Sequence, residues 1–304
     1  MMRKRNVRRN LIVAPGLLLI FYALSCHIVR AADLPFRLVR YHLIVVPVFV
    51  NGDGPFDFLL DTGTDSTLVT PEMAARLRLR PTKRVSLITV AGLQVVPLAS
   101  LDSLTLGAKS LEHIECLIEE LHELRRLGVP VCGVLGQNFL SRFNYLLDYR
   151  DRRLVFEDER DHLYSRAPYS GARHPVEQQQ GLLTIRARVA ATPDESVMLV
   201  LDSAATGVVL FDKHSREFAF AAEALSGDWL KASGSGGSRM ARAVRLRLLR
   251  IGDERFFNLP AALMKNGVGV EDRTEDGLLP TSLFRSIYFN HRENYVILNP
   301  HSLP

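Results

Sequence analysis

One pattern occurs twice in this chain, with its parts in the same order. Residues 43–69 read LIVVPVFVNGDGPFDFLLDTGTDSTLV. An alternating, β-rich stretch runs to a turn at Asn51, Gly52, Asp53 and Gly54, and FDFLL returns to end at Asp61. This is a hairpin signal with an acid at the end of its second strand. Residues 182–210, LLTIRARVAATPDESVMLVLDSAATGVVL, repeat it: a strand, a turn at Thr192, Pro193 and Asp194, and a return strand ending at Asp202. Small residues follow each acid, Thr62, Gly63 and Thr64 in the first copy and Ser203, Ala204 and Ala205 in the second. Gly92 stands thirty-one residues after Asp61, and Gly236 thirty-four after Asp202. Gly133 lies 72 residues after Asp61 and Gly277 lies 75 after Asp202. Landmarks that recur in order at near-equal spacing mark a duplication.

A duplicated, strand-rich chain implies a mostly β fold of two lobes related by a pseudo-twofold repeat. Hydrophobic residues make up 47% of the 304, enough for two packed cores. We read residues 35–157 as the first lobe, 158–180 as a polar linker and 181–300 as the second, more degenerate lobe. Hairpins with small tips are expected at Ala91–Gly92 and over Ser233–Ser238, where Gly234 and Gly236 lie. A short helix is expected after each late glycine. MAARLRLR and LIEELHELRRLG read as short solvated stretches.

LLDTGTDSTLV resembles the active-site motif of aspartic proteases, and VLGQNFLSRF resembles that family's apolar-apolar-Gly element with its short helix. FNYLLDYRDRRLVF resembles the last strands of bacterial retropepsin-like proteins, and the likeness covers nearly all of 35–300 as two retropepsin-like β-barrel lobes. The resemblance implies an endopeptidase that uses no cofactor and no metal. Asp61 and Asp202 would be its catalytic pair, one from each lobe. Thr62 and Ser203 would lock the two loops across the lobes, and Gly63 would let backbone approach the carboxyls. The two hairpins would be flaps over an extended peptide, with Ala91, Gly92, Gly234 and Gly236 at their tips. Two like charges held close together cannot both ionise cheaply, so the pair shares one proton. Thr64 offers a hydroxyl to the neighbouring carboxylate and Ala205 none, so Asp61 is expected to be the more acidic member and Asp202 the proton carrier. Ala204 in place of glycine, and Pro280 in place of Gly136, are departures in the second copy. They leave two other readings open: a protease assembled from first lobes of two chains, and a peptide-binding protein without the chemistry.

Charge narrows the partners. The formal net charge is +5, yet residues 1–31 hold Arg3, Lys4, Arg5, Arg8, Arg9 and Arg30 and no acid. Without those six, 32 of the 38 basic residues face 33 acids, so the remaining chain is near neutral. Nucleic acid is therefore not expected as a partner. The resemblance implies instead a monomer acting on a peptide or protein substrate. The basic MMRKRNVRRN followed by apolar LIVAPGLLLIFYALS reads as an export signal or membrane anchor over 1–31, with cleavage near Ala32. The expected location is periplasmic or extracellular, with anchoring at the N-terminus as the variant case. Cys116 and Cys132 are expected as packed thiols, although an oxidising compartment would permit a disulfide. His113, Cys116, His122 and Cys132 match no standard zinc spacing.

Overall fold

The computed structural model describes residues 33–89, 92–157, 171–189, 196–213, 218, 225–234, 237–265, 267, 270 and 273–300. The export segment, Ala91, Gly236, the turn at Thr192–Asp194 and residues 158–170 lie outside them. Two β-rich lobes are present, as the repeat implies. The first half contains β1 (Asp33–Pro35), β2 (Arg37–Val39), β3 (Leu43–Val50), β4 (Asp53–Leu60), β5 (Thr67–Val69), β6 (Lys83–Thr89), β7 (Gly92–Leu106), β8 (Lys109–Ile118), β9 (Gly133–Leu135), β10 (Tyr145–Asp148) and β11 (Arg153–Phe156). Its helices are α1 (Pro71–Arg76), α2 (His122–Arg126) and α3 (Gln137–Leu140). The second half contains β12 (Arg173–Gln179), β13 (Leu182–Val189), β14 (Ser196–Asp202), β15 (Val208–Asp212), β16 (Leu225–Gly234), β17 (Gly237–Ile251), β18 (Glu254–Lys265), β19 (Gly277–Pro280), β20 (Phe284–Asn290) and β21 (Tyr295–Pro300).

The two halves repeat one strand diagram. β3 and β4 form the hairpin the sequence predicts, with Asn51 and Gly52 at positive φ in its turn. β4 then runs parallel to β9, with Phe58 opposite Gly133, and β14 runs parallel to β19, with Leu199 opposite Gly277. This register explains the late glycines. A Cβ on Gly133 would strike the Leu68 carbonyl and the Phe58 ring, and one on Gly277 would strike the Val209 carbonyl. Each glycine sits where two strands press on a third.

Differences from the sequence expectation are instructive. Of the segment read as a linker, Arg173–Gln179 forms β12, which pairs with β21 on one side and β13 on the other. The second late glycine is followed only by a 3-10 turn, Thr281–Leu283, which Pro280 precedes with extended backbone. α1 is more than a solvated face: it buries Met73 and Ala74 in the main apolar cluster, with the Thr70 hydroxyl accepting from the Met73 N–H as N-cap. α2 buries none of its residues.

The halves are joined through one sheet. It begins β1-β11-β10-β20-β21-β12 and continues through β13 into the second lobe, and β10 meets β20 antiparallel, with Tyr145 opposite Phe289. Behind that junction, His291 packs beside Tyr145 and Phe289, with ring centroids 5.6 and 6.2 Å away. Burial pushes its imidazole down to about 4, and its Nε2 has no partner among the described residues. In the unfolded chain the ring takes up a proton near its ordinary value of 6.5. Its contribution to stability is therefore complete above about pH 6.5 and declines as pH falls toward about 4, by up to roughly 3 kcal/mol. Denaturant titrations at stepped pH should show a shallower acid loss for His291→Phe than for wild type over that window.

Candidate active site

The two acids end equivalent strands. Asp61 follows β4, whose neighbour β9 accepts the Asp61 N–H on the Leu135 carbonyl at 3.0 Å, and Asp202 closes β14 opposite Pro280 of β19. Because each strand stops there, the next residues turn towards the other lobe. The chain separates them by 141 residues, and the fold brings them together.

The hydroxyls after the acids make a reciprocal clasp. The Thr62 N–H donates to Ser203 Oγ at 3.0 Å, and the Ser203 N–H donates to Thr62 Oγ1 at 3.0 Å. Each hydroxyl then donates onward to the carbonyl before the opposite acid, Thr62 Oγ1 to Leu201 O at 2.7 Å and Ser203 Oγ to Leu60 O at 2.8 Å. Both residues are wholly buried. Removing one hydroxyl leaves buried donors and acceptors unsatisfied, at about 1–3 kcal/mol each. Thr62→Val and Ser203→Ala should therefore each lose about 2–4 kcal/mol in chemical denaturation. Their double-mutant cycle should show coupling of at least about 1 kcal/mol, since they share one network.

The carboxyls contact each other by a hydrogen bond. Asp202 is buried and Asp61 half-buried. Asp61 is held well above the usual carboxylate range, first by burial and then by the Asp202 charge, with the Gly63 N–H at 2.7 Å opposing. Asp202 is also raised by burial, but it accepts two N–H groups on Oδ1, from Ala204 at 2.7 Å and Ala205 at 2.9 Å. Those bonds, the contact with Asp61 and the charge of Arg273 favour its ionised form. Asp202 thus has two amide donors and Asp61 one, an asymmetry that the Thr64 and Ala205 side chains did not announce. The Thr64 hydroxyl faces the Ser66 carbonyl at 3.4 Å rather than a carboxyl, so the local donors to the two acids are backbone amides.

Gly63 is the closest neighbour. A Cβ there would lie 2.6 and 2.8 Å from the Asp202 carboxylate oxygens. Ala204, its counterpart, has room for its methyl against the apolar cluster of Leu43, Leu68 and Val134. Pro280 is equally well accommodated. In the first lobe the Gly136 N–H donates to Thr67 Oγ1 at 3.4 Å. The strand registers set Val208 where the first lobe has Thr67, so donor and acceptor are both absent in the second. Losing both partners together costs little.

Supports that the sequence did not reveal brace each loop. Gln137 Nε2 donates to the Thr62 carbonyl at 3.0 Å. At the equivalent place in the second lobe, Thr281 Oγ1 meets the buried Tyr149 hydroxyl at 2.6 Å; burial holds that phenol above its ordinary range, and the Asp202 charge pushes the same way. Tyr149 comes from the first half, and no local pattern marks it.

Both expected flaps are β-hairpins. Thr89 pairs with Gly92 at the first tip and Gly234 with Gly237 at the second. Gly92 and Gly237 share a φ of 133°. Gly237 is therefore the true counterpart of Gly92, one residue beyond the glycine the spacing picked. The second hairpin reaches the first lobe through Lys231 Nζ and Glu123 Oε2, 3.6 Å apart. Cys116 and Cys132 are free thiols, the first buried and the second partly so.

The aspartyl protease family pattern matches twice, over residues 46–139 and 187–283, which together span more than half of the chain. This chain belongs to the aspartyl protease family. Both matches contain one of the two acids, so the family assignment covers the degenerate copy as well as the first. The aspartyl protease is also similar to a solved retropepsin-like aspartic protease from Rickettsia conorii, at 21% identity with a TM-score of 0.30, covering 41% of this chain and 89% of that one. No curated protein matches it.

Proposed function

We propose that this aspartyl protease is a single-chain endopeptidase in which Asp61 and Asp202 share one proton and activate a water. The clasp between Thr62 and Ser203 within one chain is the observation that carries this reading. It gives the first lobe an internal partner, which supports a monomer over a protease built from first lobes of two chains. Asp202, with two amide donors, acts as the ionised member and draws a proton from water. Asp61, with one amide donor, holds the proton and donates it to the peptide carbonyl oxygen. Burial keeps both steps away from bulk solvent, where the charges would be screened. The hairpins at Thr89–Gly92 and Gly234–Gly237 close over the extended peptide and offer it backbone hydrogen bonds.

The N-terminal charge and apolar run support export, with the protease working outside the cytoplasm. A peptide-library digestion between about pH 4 and 7, read by mass spectrometry, tests the assignment. Cleavage products are expected. Binding of library peptides without any cleavage would instead favour a peptide-binding protein. The direction of the dyad has its own test. Thr64→Ala should leave the pH–rate profile of the digestion unchanged, because its hydroxyl faces Ser66 rather than a carboxyl.

A further inference from the structure

The second lobe carries charge that the proteolytic site does not use. The register of β13, β17 and β18 sets Arg188 opposite Arg250 and Arg250 opposite Arg255. Directly opposed residues on antiparallel strands project to the same face, and like charges so placed repel. The row spans about 10 Å, two strand spacings. Among the described residues, none of these guanidiniums has a hydrogen-bond or carboxylate partner. Arg186, two residues along the same face, does have them: Glu177 Oε1 at 3.1 Å and Ser196 Oγ at 2.8 Å. The fold does not demand this row. At the equivalent positions of the first lobe, β3, β7 and β8 place Phe49, Thr105 and Ser110, and the two hydroxyls bond each other at 2.8 Å.

A groove of about 340 Å³ adjoins the row, lined by β12, β13, β14 and β17 and including Arg188 and Arg250. His174 lines it too. That side chain is 7% exposed, and its Nε2 has no partner among the described residues. The Gly252 backbone closes on the ring so tightly that a Cβ there would lie 2.8 Å from His174 Cε1. Of the nearby acids, Glu177 is tied to Arg186, while Asp253 and Glu254, where β17 turns into β18, act on His174 and favour its protonated form. A carboxylate would answer only one of three unpaired guanidiniums. A phosphate dianion carries more charge and presents several acceptor oxygens to forked donors.

We propose that Arg188, Arg250 and Arg255, with His174 beside them, form an anion site on the second lobe for a phosphate-bearing ligand. The test uses the full chain, inorganic phosphate, and phosphatidylcholine vesicles with or without phosphatidylglycerol. Calorimetry against inorganic phosphate at constant ionic strength should give saturable binding, weakened at least tenfold in Arg250→Gln with peptide cleavage unchanged. Retention only on phosphatidylglycerol vesicles, lost in the same variant, would assign the phosphate to a lipid headgroup. Should Arg250→Gln fold poorly, Arg255→Gln at an exposed position serves in its place. Absence of saturable binding to both probes, or variant binding as tight as wild type, overturns the site.

Discussion

Asp202→Asn is expected to lower the rate of peptide hydrolysis by about 10³-fold or more, at every pH where wild type cleaves. The amide occupies the same space and still accepts the Ala204 and Ala205 N–H groups through its oxygen, so the loop keeps its shape. What it cannot do is exchange a proton with water. Asp61→Asn should cost as much, and the double variant little more than either single one, since the two groups act as one unit. Circular dichroism should show all three variants folded. Initial rates on a cleaved library peptide supply the readout. Full activity in Asp202→Asn would transfer the chemistry to first lobes paired between chains.

Gly63→Ala should be nearly as damaging, for a steric rather than a chemical reason. The added methyl would sit 2.6 and 2.8 Å from the Asp202 oxygens, inside their contact radii. Relief requires moving the carboxyl off its partner or spreading two loops that the Thr62–Ser203 clasp holds together. Either displaces reacting groups by a fraction of an ångström to an ångström, which costs about 10²-fold in rate. Overpacking adds about 1–3 kcal/mol of instability. Ala204→Gly is the control. Its methyl packs on apolar neighbours, so its removal should cost about 1 kcal/mol or less and spare most activity. Kinetics and thermal unfolding of the pair together separate crowding at the dyad from a general loss of stability.

Much of this was legible in the residues. Hairpin chemistry at Asn51–Gly54, acids at strand ends and glycines at matched spacing are local signals, each set by a few neighbouring side chains. The late glycines also encode close packing, because only they fit where strands cross. The amide donors around the two acids were not legible. Two point at Asp202 against one at Asp61, and backbone direction leaves no mark on residue identity. The hydroxyl of Thr64 suggested a bond that a slight turn of the loop sends to Ser66 instead. Pro280 looked like damage until the fold set Val208 where the first lobe has Thr67, so that a lost donor met a lost acceptor. Tyr149 and Thr281 meet across 132 positions of chain, a distance at which composition and periodicity carry no information.

By itself the sequence determined that the chain is duplicated, strand-rich and furnished with one acid per half, because strand period, turn chemistry and small-residue runs are properties of short stretches. The tertiary structure alone decided that these acids touch, how many backbone amides face each of them, and that strands from both halves share one sheet. Those outcomes depend on which distant surfaces bury each other, and burial is a property of the assembled molecule.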